Sequence, residues 1–248
     1  MKKLFLVLLC VLLAAPLALA ADEKPVIVFA TDATWPPMEF VGADKQIIGF
    51  SIDYMNAAGE LAGFKPEFKA VAWDGIFAGL GAGRYDAICS SVSITEERQK
   101  AMDFSEPYFR VRQAIVVPKD STVTSLEELK GMRVGSQIST TGTFAVKAVA
   151  GIESKTYDEV GLAIEDLYNG RIAAVVCDDP VAAQYALNNE KYKGALKIAA
   201  VIEAGEVEYY GIAVRKGNDK VLNLVNEGIR LVKERGIDQE LMKKWITE

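Results

Sequence analysis

Three stretches of the chain concentrate side chains that grip charged small molecules. In Ser90-Ser91-Val92-Ser93-Ile94-Thr95-Glu96-Glu97-Arg98, Thr95 reads as a helix N-cap. The preceding serine hydroxyls and unpaired backbone N–H groups then gather at a helix start. Arg98 lies three residues past the cap and can turn its planar fork toward the same point. Hydroxyls, free amides and a guanidinium together make a receptor for a carboxylate. An ordinary surface loop, with Arg98 paired to Glu97 or Asp103, uses the same residues. Thr140-Thr141-Gly142-Thr143 repeats the device ahead of a helix expected from near Phe144. There Gly142 would let a ligand approach the backbone and Thr141 offers a hydroxyl. A plain N-cap is the competing account.

Carboxylates hold the complementary places. Asp178 and Asp179 follow one candidate strand directly, and Asp32 follows another. Aspartate at such points commonly caps a turn, yet an ammonium group needs an anionic, hydrogen-bonding partner, and here are three. Trp35 and Trp73 sit in polar-flanked segments, Thr34-Trp35-Pro36-Pro37 and Ala72-Trp73-Asp74, outside any apolar periodic run. Their faces can stack on an aliphatic chain or a guanidinium, or simply pack in the core. Taken together, a carboxylate end, an ammonium end and an aromatic pair describe a site for a zwitterion.

Other chemistry is excluded. The chain has no histidine, which removes Ser-His-Asp and Cys-His catalysis and the commonest metal ligand. Neither G-x-S-x-G nor S-x-x-K occurs, nor a Walker phosphate loop. Gly79-Leu80-Gly81-Ala82-Gly83 follows a helical stretch and precedes a strand, the wrong polarity for a phosphate cradle, so a plain turn is expected. The first residues, Met1-Lys2-Lys3, an apolar run from Leu4 to Ala15, Pro16 and Ala18-Leu19-Ala20, have the order of a secretory signal cut after Ala20. Without residues 1–20 the balance is 26 basic against 34 acidic side chains. That acidity disfavours nucleic acid and anionic membrane surfaces. Cys89 and Cys177, each ending a short apolar run, read as buried thiols at strand ends, although an oxidising compartment would allow them to pair.

The elements that must position these groups alternate along the chain. Strands are expected at Val26–Thr31, Phe68–Val71, Ala87–Ser90, Ala114–Val117, Val134–Gln137, Ala173–Cys177 and Ile212–Val214. Helices are expected at Ile52–Ala62, Gly75–Leu80, Glu96–Met102, Leu126–Lys130 (opened by a Ser125-x-x-Glu128 capping box), Phe144–Ala150, Asp158–Leu167, Val181–Leu187, Val221–Glu234 and Gln239–Trp245. This is an α/β pattern with largely parallel sheets. The segments around 84–91 and 171–180 echo one another: a basic residue, an apolar strand, then polar residues at its carboxyl end, each after a helix closed by glycine. Such strand ends are where α/β folds bind ligands, so two lobes are expected to face one another across a cleft. Ile115-Val116-Val117-Pro118 would carry the chain out to the second lobe and Tyr209-Tyr210-Gly211-Ile212 would bring it back. The expected division is 21–113 with 207–248 for lobe 1, and 114–206 for lobe 2.

The segments TDATWPPMEF, IIGFSIDYMNAAGE, AWDGIFAGLGAGRYDA, SSVSITEERQKAMDFSEPY, LKGMRVGSQISTTGT, AAVVCDDPVAAQYA and EYYGIAVRKGN resemble the periplasmic solute-binding proteins of family 3. These are polar amino acid receptors of ATP-driven (ABC) importers. The resemblance runs over essentially the whole chain beyond residue 20. It departs at Ser51, where an acidic residue is usual, and at Ser91, where many members have glycine. It implies the type II periplasmic-binding-protein fold, two α/β lobes joined by two hinge strands. It also implies that Arg98 grips the ligand's α-carboxylate, helped by Ser93 and Thr141 within the Ser90-Ser91-x-Ser93 and threonine clusters. Asp178 and Ser91 would take the α-ammonium. Trp35 and Trp73 would sandwich the side chain, with Asp32 and Gln137 at its distal end. Asp32 there, and no matched distal lysine or arginine, favours basic ligands of the arginine and lysine type over glutamine and other neutral ones. A monomer in the periplasm is expected, with a free amino acid and a membrane permease as partners, no nucleic acid, no metal, no cofactor and no catalysis. The rivals are an enzyme resembling cyclohexadienyl dehydratase and a sensory input protein.

Overall fold

A computed structural model describes residues 24–202 and 207–246; the expected secretory signal lies outside the described residues. The chain begins with β1 (Val26–Thr31), a ribbon of β2 (Thr34–Trp35), β3 (Glu39–Val41) and β4 (Ile47–Ile48), then helix α1 (Phe50–Ala62) and β5 (Lys65–Ala70). Next come α2 (Ile76–Gly81), β6 (Ala87–Ile88), α3 (Glu96–Ala101), β7 (Met102–Phe104), β8 (Phe109–Val111) and β9 (Gln113–Pro118). A single 3-10 turn, Glu127–Leu129, leads to β10 (Arg133–Gln137), α4 (Thr141–Ala148), β11 (Glu153–Tyr157), α5 (Val160–Tyr168) and β12 (Ala174–Asp178). Helix α6 (Asp179–Ala183) runs on as a π-helical turn, Gln184–Asn188, before β13 (Leu196–Ile202), β14 (Glu208–Tyr210), β15 (Ala213–Arg215), α7 (Asp219–Glu234) and α8 (Ile237–Trp245).

Two five-stranded sheets result, in the orders β5-β1-β6-β15-β7 and β11-β10-β12-β9-β13. The first three strands of each are parallel, and the last two pair antiparallel. The antiparallel neighbour of β6 is β15, on the returning chain, and that of β12 is β9, on the outgoing one. The sequence echo is therefore topological. β6 and β12 hold the same place in their sheets, and each follows a helix stopped by a left-handed glycine, Gly83 or Gly170, both at φ +70°.

Between the sheets β8 and β14 pair antiparallel, Tyr210 opposite Phe109, with their rings stacked at 5.5 Å. The expected outgoing hinge, Ile115–Pro118, lies instead inside the second sheet. Its Ile115, Val116 and Val117 are wholly buried, as a central strand with both faces covered requires.

The expected helix over Leu126–Lys130 is only the 3-10 turn, and the capping box is displaced. Glu128 takes the backbone N–H and hydroxyl of Thr124, at 3.0 and 2.9 Å, instead of answering Ser125. Gly79 and Gly81 belong to α2 and not to a turn. Helix α4 starts at Thr141, three residues before the expected Phe144, because Thr140 accepts from the Thr143 N–H. Cys89 and Cys177 are buried free thiols. Among the described residues no helix is long and apolar enough to cross a membrane.

Helix α7 lies against α1 so closely that a Cβ on Gly228 would fall 2.7 Å from the Ala58 Cβ and 2.9 Å from its carbonyl oxygen. Overfilling such a seam costs about 1–3 kcal/mol. Gly228→Val should therefore lower the thermal midpoint by roughly 2–4 °C for each kcal/mol lost. A melting curve that overlays the parent would show that the two helices do not touch.

Candidate functional site

The carboxyl ends of the parallel strands point at one another across the space between the sheets. There a narrow, closed cleft is lined by Asp32, Trp35, Glu39, Trp73, Ser90, Ser91, Ser93, Arg98, Gln137, Thr140, Thr141 and Asp178. All ten residues singled out in the sequence line it, and two more, Glu39 and Thr140, join them.

The cleft is closed by contacts that span it. Gln137 at the end of β10 donates to Asp32 beyond β1 at 2.8 Å. The Trp73 indole N–H donates to the Ile138 carbonyl at 2.9 Å, and that of Trp35 to Asp178 at 3.3 Å. Arg98 donates to the Ser93 carbonyl at 2.9 Å and, across the cleft, to the Ser139 carbonyl at 3.1 Å. Neither Glu97 nor Asp103 holds it: Glu97 pairs with Lys100 and Asp103 with Lys216. The guanidinium lies over the rings of Trp73 and Phe77, at 5.6 and 5.3 Å. Burial lowers its pKa to about 10, against the opposing pull of Glu208 and Asp178, so it stays charged at neutral pH.

Backbone strain is concentrated at the rim. Ser91 and Ser139 adopt φ of +48° and +58°, a region that costs an L-residue about 1–3 kcal/mol. A glycine would adopt the same φ at Ser91 without that cost. Gly142 departs from expectation. The space its missing side chain leaves is filled by Gln113 Oε1 and the Val176 carbonyl, each 2.9 Å from where a Cβ would stand. It serves packing of α4 on β12 and not ligand approach. Asp179 turns outward to Arg112 at 3.1 Å.

Three carboxylates line the cavity, and all are buried: Asp32, Glu39 and Asp178. Asp32 accepts from Gln137 and from Thr34 (2.9 Å), yet burial raises its pKa. Asp178 accepts from Gln113 at 2.6 Å, from Trp35 and from the Tyr210 hydroxyl. Burial, reinforced by Glu208, pushes it up to about 7. Glu39 is completely buried. One oxygen accepts from Ser91 at 3.0 Å, while Oε1 has no protein partner. Burial raises its pKa well above the ordinary carboxylate range, opposed chiefly by Ser91. The Ser51 hydroxyl, shared with Tyr108 at 3.1 Å, also opposes this rise. Glu39 escapes a sequence reading because it sits in a three-residue strand with no periodicity. The only signal is its place between Met38 and Phe40.

A model of the bacterial extracellular solute-binding proteins, family 3, matches residues 27–248. The chain belongs to that family. Among similar proteins, a probable histidine-binding protein of Neisseria gonorrhoeae is 36% identical over 233 residues, 92% of this chain and 86% of its own. An ancestral arginine-binding protein, solved with arginine and with glutamine, is 39% identical with a TM-score of 0.83 in each. The matches cover 90% and 91% of this chain and 99% of that one. An ancestral amino acid-binding protein, AncCDT-1, a precursor of cyclohexadienyl dehydratase, is 33% identical with a TM-score of 0.80, over 90% of this chain and 96% of its own.

In this family 3 protein the raised carboxyl pKa values have a direction that can be tested. Closed, the cleft binds more protons than an open, hydrated one. This holds from the ordinary carboxylate range near 4 up to about 7 for Asp178. Acid therefore favours ligand-free closure, by up to ~1.4 kcal/mol per pH unit for one group, and the effect of Asp178 is gone above that range. Small-angle scattering of the ligand-free protein should show a more compact particle at pH 5 than at pH 8. Asp178→Asn should flatten the difference, with Asp32 and Glu39 supplying the remainder. A particle that opens in acid contradicts this sign.

Proposed function

We propose that this protein is a periplasmic receptor for a free amino acid with a cationic side chain, of the arginine and lysine type, which it hands to the permease of an ABC importer. The observation that carries the reading is the charge of the cavity wall: three buried carboxylates against one guanidinium, with Glu39 Oε1 lacking any protein partner. An uncompensated buried carboxylate is costly and takes up either a proton or a cation. A basic amino acid meets the set. Its carboxylate goes to Arg98 at the mouths of α3 and α4, and its ammonium to Asp178. Its cationic end goes to Asp32 and Glu39, with Trp35 and Trp73 along the methylenes. The names of the similar histidine- and arginine-binding proteins agree with this class of ligand.

A neutral ligand is the second reading, favoured by the glutamine-bound structure of the ancestral relative. Dehydratase chemistry on a dicarboxylate has less support: a second carboxylate would need a second cation, and among the described residues Arg98 is the one basic side chain lining the cavity. Binding without catalysis, by a monomer, is the proposal.

Calorimetry against arginine, lysine, ornithine, histidine, glutamine, glutamate and prephenate tests it. Arginine or lysine should bind at micromolar Kd or tighter, with glutamate and prephenate silent and prephenate unconverted. Arg98→Ala should abolish binding in a folded protein. Asp32→Asn and Glu39→Gln should each weaken arginine by about ten- to a hundredfold and leave glutamine nearly unchanged. An arginine-to-glutamine ratio unmoved by either substitution would sink the basic preference, and tight glutamine binding without arginine binding would install the second reading.

A further inference from the structure

Glu208 lies on β14, between the lobes, and its carboxylate has more partners than a hinge position requires. Its Oε1 accepts from the Ser93 hydroxyl, of the first lobe, and from the Thr141 hydroxyl, of the second, the latter at 2.7 Å. Gln113, at the start of β9, reaches Oε2 at 3.3 Å. One carboxylate thus ties both lobes and the crossing chain. Gln113 Nε2 also donates to Asp178 and so stands between the two acidic groups.

Glu208 does not line the cavity, and Arg98 donates to two carbonyls and not to it. It therefore sits behind the carboxylate receptor. Yet the two hydroxyls it holds are those that the family resemblance assigns to the ligand. Beside them the cavity is lined by Arg98, and the N–H of Thr141, the first residue of an eight-residue helix, has no partner within that helix.

We propose that Glu208 is a positioning residue that latches the closed cleft: it clasps the Ser93 and Thr141 hydroxyls across the lobes and leaves the ligand's carboxylate to Arg98 and peptide N–H groups. The bond to Thr141 joins the two lobes and exists only when they meet, so opening must break a charge-assisted hydrogen bond before a ligand can leave. The latch acts on departure and not on encounter. Its ligand-binding consequence rests on the amino acid reading above; its conformational consequence does not.

Stopped-flow tryptophan fluorescence, with arginine as the probe, separates the two rates in the parent, Glu208→Ala and Glu208→Gln. Dissociation should quicken about ten- to a hundredfold in Glu208→Ala, with association nearly unchanged. Glu208→Gln keeps an accepting oxygen for the hydroxyls and should fall between, which also guards against misfolding of the alanine variant. Adding Thr141→Val to Glu208→Ala should cost less than Thr141→Val costs the parent, because both remove one bond. Scattering of the ligand-free Glu208→Ala protein at pH 5 should show a more open particle than the parent. Unchanged dissociation, fully additive effects of the two substitutions, or tighter arginine binding in Glu208→Ala overturns the latch. If no amino acid binds the parent while Glu208→Ala still opens the free protein, the ligand reading falls and the latch stands; unchanged scattering in that case removes both.

Discussion

Asp178 stands where three parts of the chain meet. It ends β12 in the second lobe and accepts from Trp35 in the first, from Tyr210 on one crossing strand and from Gln113 at the mouth of the other. A buried carboxylate can remain charged only if donors surround it. The donors here come from as far as 143 residues away from it in sequence. Satisfying one side chain therefore brings the lobes and the crossing strands into register. Tyr210 is wholly buried and stacked on Phe109, so its hydroxyl is delivered from a fixed direction. Gln113 links this point to Glu208 and its hydroxyl partners, and the Trp35 indole N–H reaches it from the first lobe.

The sheets explain why so much chemistry converges. In each lobe the three parallel strands deliver their carboxyl ends to the same face: Asp32 after β1, Ser90 and Ser91 after β6, Gln137 ending β10, Asp178 ending β12. The connections that leave parallel strands also start helices at that face, which is why Thr95 and Thr140 are caps there. Opposed lobes then place two such faces together. The same geometry that collects donors also collects carboxylates, so that Asp32, Glu39 and Asp178 are buried around the same cavity as Arg98.

Much of this was legible in the residues. β1 runs Val26–Thr31 as the apolar pattern dictates, and the ten candidate site residues surround one cavity because polar side chains just past apolar strands are rarely there for the core. What escaped did so for physical reasons. β2, β3 and β4 are two or three residues long, too short for any period to appear, and Glu39 was hidden among them. β11 is an edge strand with a polar sequence, and β13 carries a register shift between Ile198 and Ala200 that breaks its alternation. Gln113 and Glu208 are polar residues beside hinge strands. Only the fold reveals that their side chains turn inward toward Asp178 and Thr141 and away from water.

The order of strands in the first sheet has a consequence for the making of the molecule. β15 lies between β6 and β7, yet it is separated from them in sequence by the whole second lobe. A nascent chain that has reached residue 202 carries a complete second sheet and a first sheet split down its middle, with α1 still lacking α7. Until Ala213–Arg215 emerges, that lobe exposes unpaired strand edges and an uncovered helix face, and it cannot lock shut. The first sheet is thus completed only by a strand made nearly last, after the whole second sheet.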